Sequence, residues 1–477
     1  MSHRDPAEGC GRDDDVGYNI VSERLSIILA TSNGTGMGHL ARASATALAL
    51  ADRAEPVIFS LSRALPLVRS LGLRGEYCPS HHSRLMAAPT WQSYLSERII
   101  ALAAETKARV FAFDGAWPYS GIAFARAKMP EMAFVWVRRA MWRPGSNIAA
   151  LARAQPFDVV LEPGDLAAAA DRGATASRDD ATRVAPMTLL EQVPRISRAE
   201  ARVALGLDPE RPVALVTLRT DSPGAESAAA SAIRVLLRQP EWQIALTRTP
   251  LAVSELGSET DRIVPLKEVF PLASYLSAFD ATITAAGYNS FHEMLYAGVP
   301  TLFVPTKAAV TDDQQARARW ALDHGLALAA AEDQPTDVAA ATETLLDLAV
   351  REKLVTRYAE IPAPSGAHEA ANVLADLAVR FEHHRISPRE RLDTARRKAR
   401  PLATTMLGPR TVQRFERLIG RAEETVPRPP GPVRFIEEAD TEDLASGRPV
   451  EDLLLGASAT YRARRKDIAD RYYGWGT

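Results

Sequence analysis

The chain has 477 residues, of which 46% are hydrophobic and 24% charged, with a formal net charge of -2. One hydrophobic core rarely serves such a length, so roughly two to four domains are expected, and the near-neutral balance excludes nucleic acid as the default partner. The two cysteines, Cys10 and Cys78, are far apart and lack ligand spacing, which excludes a disulfide framework or a structural zinc site and fits a reducing, cytoplasmic compartment.

In chain order, residues 1–20 are polar, with Asp13-Asp14-Asp15 where a signal peptide needs an apolar core, so they read as a disordered tail. No run reaches the ~18 apolar residues that cross a bilayer. From Leu25, short apolar runs alternate with amphipathic ones. Leu25 to Ala30, Pro56 to Ser60, Val110 to Phe113, Ala133 to Val137 and Val159 to Leu161 are predicted strands, and the alternation predicts a parallel sheet covered on both faces. This first α/β domain occupies residues 21–190. After Pro186 the chain reads as a linker, and Ser197 with Glu200 three residues on forms a capping box opening a short helix that ends near Gly206. The second α/β domain, residues 191–365, places strands at Val213 to Leu218, Ile244 to Thr247, Ala281 to Thr284 and Thr301 to Val304. An amphipathic closing helix follows over Ala367 to Phe381, within 366–385. Residues 386–477 form an Arg/Pro-rich helical or irregular appendage, whose basic part reads first as a solvated face and second as a contact for anionic lipid at the inner membrane face or for a partner.

Two loops carry the chemistry. The first, Asn33-Gly34-Thr35-Gly36-Met37-Gly38-His39, joins the first strand to the first helix, where Gly34, Gly36 and Gly38 permit close backbone approach. It lacks the acid expected ~20 residues after a dinucleotide fingerprint and the Gly-Lys-Ser/Thr of a P-loop, so NAD and ATP lose weight. The second is Ala285-Ala286-Gly287-Tyr288-Asn289-Ser290-Phe291-His292-Glu293, followed by Gly298, Pro300 and then Asp312-Asp313-Gln314-Gln315. A strand runs into a glycine turn whose free amides open a helix, a setting that favours phosphate. The plain alternative for this loop is a Ser290/Glu293 capping box. Its continuation tips the reading toward a ligand, since ligands gather outside the carboxyl ends of strands in an open α/β sheet. Asp114 ends a predicted strand, where it would orient His39 or an acceptor hydroxyl, or else cap the next helix. Trp117, Tyr119, Trp136 and Trp142 read as core and rim aromatics ahead of an acceptor wall. Asp179-Asp180 reads as a solvated loop, and His81-His82 lacks a zinc pattern.

These residues resemble the GT-B glycosyltransferases, specifically glycosyltransferase family 28, across roughly Ser26 to Arg380 and most densely from Ile263 to Leu328. Gly36, Gly38, His39 and Arg42 look like a Gly-x-Gly-His-x-x-Arg form of the family's N-terminal turn. The resemblance implies two Rossmann-like domains facing across a cleft. It implies that Val269 contacts the nucleobase, Gly287 and Ser290 hold the diphosphate with Asn289 also among the nucleotide-binding residues, Glu293 binds the ribose, Gln314 and Gln315 read the sugar beside Asp313, and His39 is the catalytic base. The chain departs from the family at the junction, Ala185-Pro186-Met187-Thr188, where a phosphate-binding arginine is usual; Arg219 is the expected replacement, with a surface arginine as its simpler reading. The expectation is an inverting transferase that moves a hexose-type sugar from a nucleotide diphosphate, foremost a UDP-sugar such as UDP-N-acetylglucosamine, to a lipid-linked, natural-product or polysaccharide hydroxyl. No cofactor or metal is expected, because helix amides can stabilise the departing diphosphate. The alternatives are a nucleotide-sugar hydrolase or 2-epimerase on the same fold, and a degenerate scaffold acting through the appendage.

Overall fold

The computed structural model describes residues 24–32, 37–80, 86–218, 223–247, 262–266, 269–307, 311–384 and 395. Expectations about the N-terminal tail, Gly34, Gly36, His81-His82, Arg219 and the appendage lie outside these.

The first unit is a parallel sheet of seven strands, β1 (Ser26–Thr31), β2 (Glu55–Ser60), β3 (Arg74–Tyr77), β4 (Ala108–Asp114), β5 (Ala133–Val137), β6 (Val159–Pro163) and β7 (Thr182–Val184), in the order β3-β2-β1-β4-β5-β6-β7. All six positions of β1 are buried, as an apolar strand covered on both faces requires. The second unit is a six-stranded parallel sheet of β8 (Val213–Thr217), β9 (Gln243–Leu246), β10 (Ile263–Pro265), β11 (Ala281–Thr284), β12 (Thr301–Phe303) and β13 (Leu328–Ala329), ordered β10-β9-β8-β11-β12-β13. In each sheet the strand order reverses once, between β1 and β4 and between β8 and β11. A crevice opens at the carboxyl ends of strands at such a switch point.

The strands foreseen from the sequence are present with small shifts of boundary. Those it missed, β3, β7, β10 and β13, lie at or near sheet edges. β3 and β7 have exposed positions, β13 has two residues, both half-buried, and β10 has only three residues, the last exposed, so each lacks the long buried apolar run of a central strand. The Ser197/Glu200 capping box is present, and the helix Arg198–Leu205 ends on Gly206 with φ 66°, a left-handed conformation suited to glycine. A Ser290/Glu293 box does not form. The helix Tyr288–Ala297 starts three residues earlier, with Gly287 as N-cap, so Ser290 lies inside its first turn.

Two helices tie the units together. The helix Gly38–Leu50 buries Leu40, Ala43, Ala47 and Leu50 against the first sheet, and Ala41 and Ala45 among residues of the junction and second unit, including Leu189, Val213 and Met294. Its small residues suit a helix with apolar neighbours on two sides. The closing helix, Gly366–Arg380, returns from the second unit and buries Ala370, Ala371, Leu374, Ala375 and Ala378 with Ile27, Leu29, Val110 and Val135 of the first sheet. At its start a Cβ on Gly366 would stand 1.9 Å from the Ala185 carbonyl oxygen, so any side chain there would force the junction away. Among the described residues no helix is long and apolar enough to cross a membrane.

Because Leu374 is 1% exposed in the first unit's core, Leu374→Ala should lower stability by about 2–5 kcal/mol. Chemical denaturation of the full chain, followed by circular dichroism, measures this; a loss below about 0.5 kcal/mol would show that the closing helix is not part of that core.

Candidate active site

The switch point of the first sheet brings together the two residues expected to be catalytic. Thr31 at the end of β1 is in register with Asp114 at the end of β4, and the Ser32 amide donates to the Asp114 carbonyl at 3.0 Å. The helix Gly38–Leu50 carries His39 on its first turn. His39 Nδ1 lies 2.7 Å from Asp114 Oδ1. A carboxylate accepts only, so Nδ1 holds the proton and donates it, leaving the Nε2 lone pair as the basic site. Asp114 does not cap the next helix, whose N-cap is Tyr119.

Arg42, three residues from His39 and on the same helical face, completes this group. Its Nε donates to Asp114 Oδ2 at 2.9 Å and its Nη2 to Oδ1 at 2.7 Å, a two-point fork, with the side chain 2% exposed. Burial alone would push the Asp114 carboxyl upward, but the adjacent Arg42 and His39 outweigh it and hold the group well below the usual carboxylate range. His39 is held below an ordinary histidine, first by burial and further by Arg42 and Arg139, against the opposing pull of Asp114.

The second sheet meets this group through the head of the helix Tyr288–Ala297. No side chain caps its Gly287 end, so the amides of its first turn remain available to an anion. Asn289 reaches across the units: its Oδ1 accepts from Arg42 Nη1 at 3.2 Å and its Nδ2 donates to the Gly38 carbonyl at 3.4 Å. Tyr288 is buried, with the guanidinium groups of Arg42, Arg139 and Arg317 at 5.1, 5.7 and 5.8 Å from its ring centre. Its hydroxyl donates to the Gly164 carbonyl at 2.9 Å and accepts from the Met187 amide at 3.0 Å. The altered junction is thus bonded directly to the helix head.

Further charged contacts close the same boundary. Arg317 Nε donates to Asp165 Oδ2 and its Nη1 to Asp312 Oδ1, both at 2.7 Å, while Arg139 Nη1 reaches Asp312 Oδ1 at 3.2 Å. The backbone of 141–143 pairs antiparallel with 311–313 through Arg143 N to the Thr311 carbonyl at 2.7 Å and Asp313 N to the Met141 carbonyl at 2.8 Å. His292 is fully buried; its Nδ1 donates to the Tyr288 carbonyl at 2.7 Å and its Nε2 accepts from the Leu166 amide at 3.1 Å. That pattern requires the neutral ring, and burial pushes it down to about 4.

The remaining expected residues are dispersed around this centre. Ser290 is partly exposed in the first turn, and Glu293, one turn on from Asn289, is half-buried and accepts from the Leu189 amide. His39 and Glu293 therefore stand on linked elements, joined through Asn289. Gln314 is buried; its Oε1 accepts from the Thr306 amide at 3.2 Å, and its Nε2 lies 3.6 Å from where a Cβ on Gly287 would stand. Gln315 is exposed, so the two glutamines do not share an environment. Asp313 accepts from the Ala316 amide at 3.1 Å as the N-cap of the helix Gln314–Asp323, and Asp312 is spent on two arginines. Val269 lies between β10 and a 3-10 helix, packed against the core around Leu266 and Leu276. Trp117, Tyr119, Trp136 and Trp142 are core residues at 2, 8, 0 and 2% exposure, so they do not line an open acceptor wall. Asp180 is no free loop acid; it accepts from Arg138 and Arg178. Among the described residues no group of His, Cys, Asp and Glu could hold a metal ion.

Arg42 was visible in the sequence only as part of a motif. Tyr288 and His292 stand in the second loop without a role of their own, and Arg139, Asp165 and Arg317 belong to no motif. Arg139 had a usable signal, since it follows the strand Ala133–Val137 at its carboxyl end; the others are defined by partners more than a hundred residues away.

Residues 249–370 match the glycosyltransferase family 28 C-terminal domain. The UDP-N-acetylglucosamine–N-acetylmuramyl-(pentapeptide) pyrophosphoryl-undecaprenol N-acetylglucosamine transferase of an Exiguobacterium species is 29% identical over 128 residues, a match spanning 26% of this chain and 34% of that protein. Among solved structures, Acinetobacter baumannii MurG superposes with a TM-score of 0.51 at 18% identity, over 74% of this chain and 99% of its own. Glycosyltransferase VinC in complex with dTDP gives 0.51 at 15% identity, over 75% and 100%. A putative UDP-N-acetylglucosamine 2-epimerase from Listeria monocytogenes gives 0.53 at 14%, over 76% and 100%. These likenesses show the fold, which is GT-B.

Burial pushes the Glu293 carboxyl up to about 7. A carboxyl raised above its unfolded value adds stability that is complete below about pH 4.5 and lost as pH rises through about 7. Glu293→Gln should therefore gain stability relative to the unaltered protein between those limits, by at most about 3 kcal/mol. Thermal melts at pH 4.5, 6 and 8 check it; a constant difference across the series would place the carboxylate in water.

Proposed function

We propose that this chain, a GT-B protein carrying a glycosyltransferase family 28 C-terminal domain, is an inverting glycosyltransferase that moves a hexose-type sugar from a nucleoside diphosphate, foremost UDP, to an acceptor hydroxyl. The observation that carries the reading is the His39–Asp114 pair at 2.7 Å on one unit, facing through Asn289 the uncapped head of the helix Tyr288–Ala297 on the other. A base on one side and an anion-binding helix end on the other are the two groups that glycosyl transfer needs.

In the proposed reaction His39 Nε2 takes the proton of the acceptor hydroxyl as its oxygen bonds to the anomeric carbon. The bond from that carbon to the diphosphate oxygen breaks, and its electron pair leaves with the nucleoside diphosphate. Attack opposite the leaving group inverts the centre. The amides at Gly287 to Ser290 meet the charge growing on the diphosphate, so no metal is required. Asp114 fixes the ring tautomer and stabilises the imidazolium. Glu293 is proposed at the ribose and Gln314 at the sugar; Gln314 lies beside Gly287, which supports its place. The acceptor class, whether lipid-linked, natural product or polysaccharide, is left to experiment, as is peripheral contact with a membrane.

Thermal shift with UDP, GDP and dTDP should single out one nucleotide, with about 2.7 kcal/mol of stabilisation at one hundred times its Kd. His39→Ala should leave that shift intact and lower turnover by about 10²–10⁴-fold, and EDTA should change neither. Silence toward all three nucleotides would overturn the assignment. Rapid sugar release or epimer formation without any acceptor would identify a hydrolase or 2-epimerase instead.

A further inference from the structure

Arg42 touches both halves of the site. Its fork holds Asp114 at 2.9 and 2.7 Å, and the same guanidinium reaches Asn289 of the second unit at 3.2 Å through the nitrogen the fork does not use. Asn289 in turn donates to the Gly38 carbonyl, directly before His39. A closed circuit results, from Gly38 to Asn289 to Arg42 to Asp114 to His39. The Tyr288 ring packs against the guanidinium at 5.1 Å, and the side chain is 2% exposed. Burying a guanidinium at such a boundary is costly unless each bond is used. An arginine needed only to neutralise Asp114 would have no use for the third nitrogen.

We propose that Arg42 is a positioning residue that joins the His39–Asp114 pair to the head of the donor-side helix, so that the alignment of the imidazole depends on how that helix is seated. The inference rests on the reading of His39 as the base. Arg42 acts through Asp114 and touches neither sugar nor acceptor. It also sets the basicity of His39. The charged groups acting on the ring are Asp114 from β4, Arg42 from its own helix and Arg139 following β5, while the neutral Tyr288 and Asn289 of the second unit contact Arg42. Arg42 Nη2 stands 2.9 Å from His39 Nδ1. With Nδ1 protonated this is a contact between two donors, and it disfavours imidazolium.

The test is a titration of the histidine ring nitrogens by NMR on the full chain, with the His39 signals assigned by their loss in His39→Gln. The unaltered protein should show Nδ1 protonated and a midpoint below that of an ordinary histidine. Arg42→Met removes the cation and leaves Asp114 undivided, so the midpoint should rise by about one pH unit. Arg42→Lys keeps the charge without the fork and should give a smaller rise; it serves where Arg42→Met does not fold. Asn289→Ala leaves the fork to Asp114 intact, yet should shift the His39 ring signals toward those of Arg42→Lys. An unmoved midpoint in both arginine variants would reduce Arg42 to packing, and unmoved ring signals in Asn289→Ala would remove the link between the units; either overturns the proposal. The acid limb of the turnover profile should follow the NMR midpoint, and free guanidinium should partly restore Arg42→Ala. If His39 responds as expected in a protein that moves no sugar, the transferase reading falls while the Arg42 link stands, so the two failures are distinguishable.

Discussion

A single buried carboxylate, that of Asp114, is shared between a histidine and an arginine, and the geometry of the cleft follows from that sharing. An isolated carboxyl at this depth would take up a proton, since desolvation favours the neutral form. Two donors keep it ionised, and its charge then fixes each of them. The imidazole gives Nδ1 to the carboxylate, and the guanidinium has one nitrogen left over to reach the opposite unit. Asp114 stands where it does because β4 neighbours β1 at the reversal of strand order, which is also where the first helix must begin.

Charge along the boundary is balanced. Among the described residues, Arg42, Arg139 and Arg317 face Asp114, Asp165 and Asp312 in ion pairs, while His292 is held neutral by its two hydrogen bonds. Buried ion pairs contribute little net stability, because desolvation offsets most of the attraction, but they are directional and penalise misalignment. Two of these pairs, Arg139–Asp312 and Arg317–Asp165, cross from one unit to the other. The balance also bears on donor binding. Under the proposed function, with each of these guanidiniums already paired, a diphosphate is expected to meet chiefly the amides at the head of the helix Tyr288–Ala297. That suits a site in which the junction lacks its usual arginine.

The central strands were legible because burial on both faces demands an unbroken apolar run, as in Ile27 to Ala30 or Ala133 to Val137. The edge strands were not, because one face or one side meets water and the composition relaxes. A capping box illustrates the same limit at a finer scale. Ser197 and Glu200 form one, whereas Ser290 and Glu293, at the same spacing, do not, because the helix begins at Tyr288 with Gly287 as its N-cap and Ser290 falls inside the first turn. Local pattern states which caps are chemically available, and packing selects among them.

Two α/β units, the turn at Gly287 and the acid that ends β4 were legible along the chain, because each is written in neighbouring residues whose spacing matches a local period or turn. Which of these come together was settled by folding. Asp114 is 75 positions from His39, Asn289 is 247 from Arg42, and Asp165 is 152 from Arg317. Such pairs arise from strand order and from the way two sheets abut, and a buried charge leaves no periodic trace in the chain because its partner is supplied by a different element.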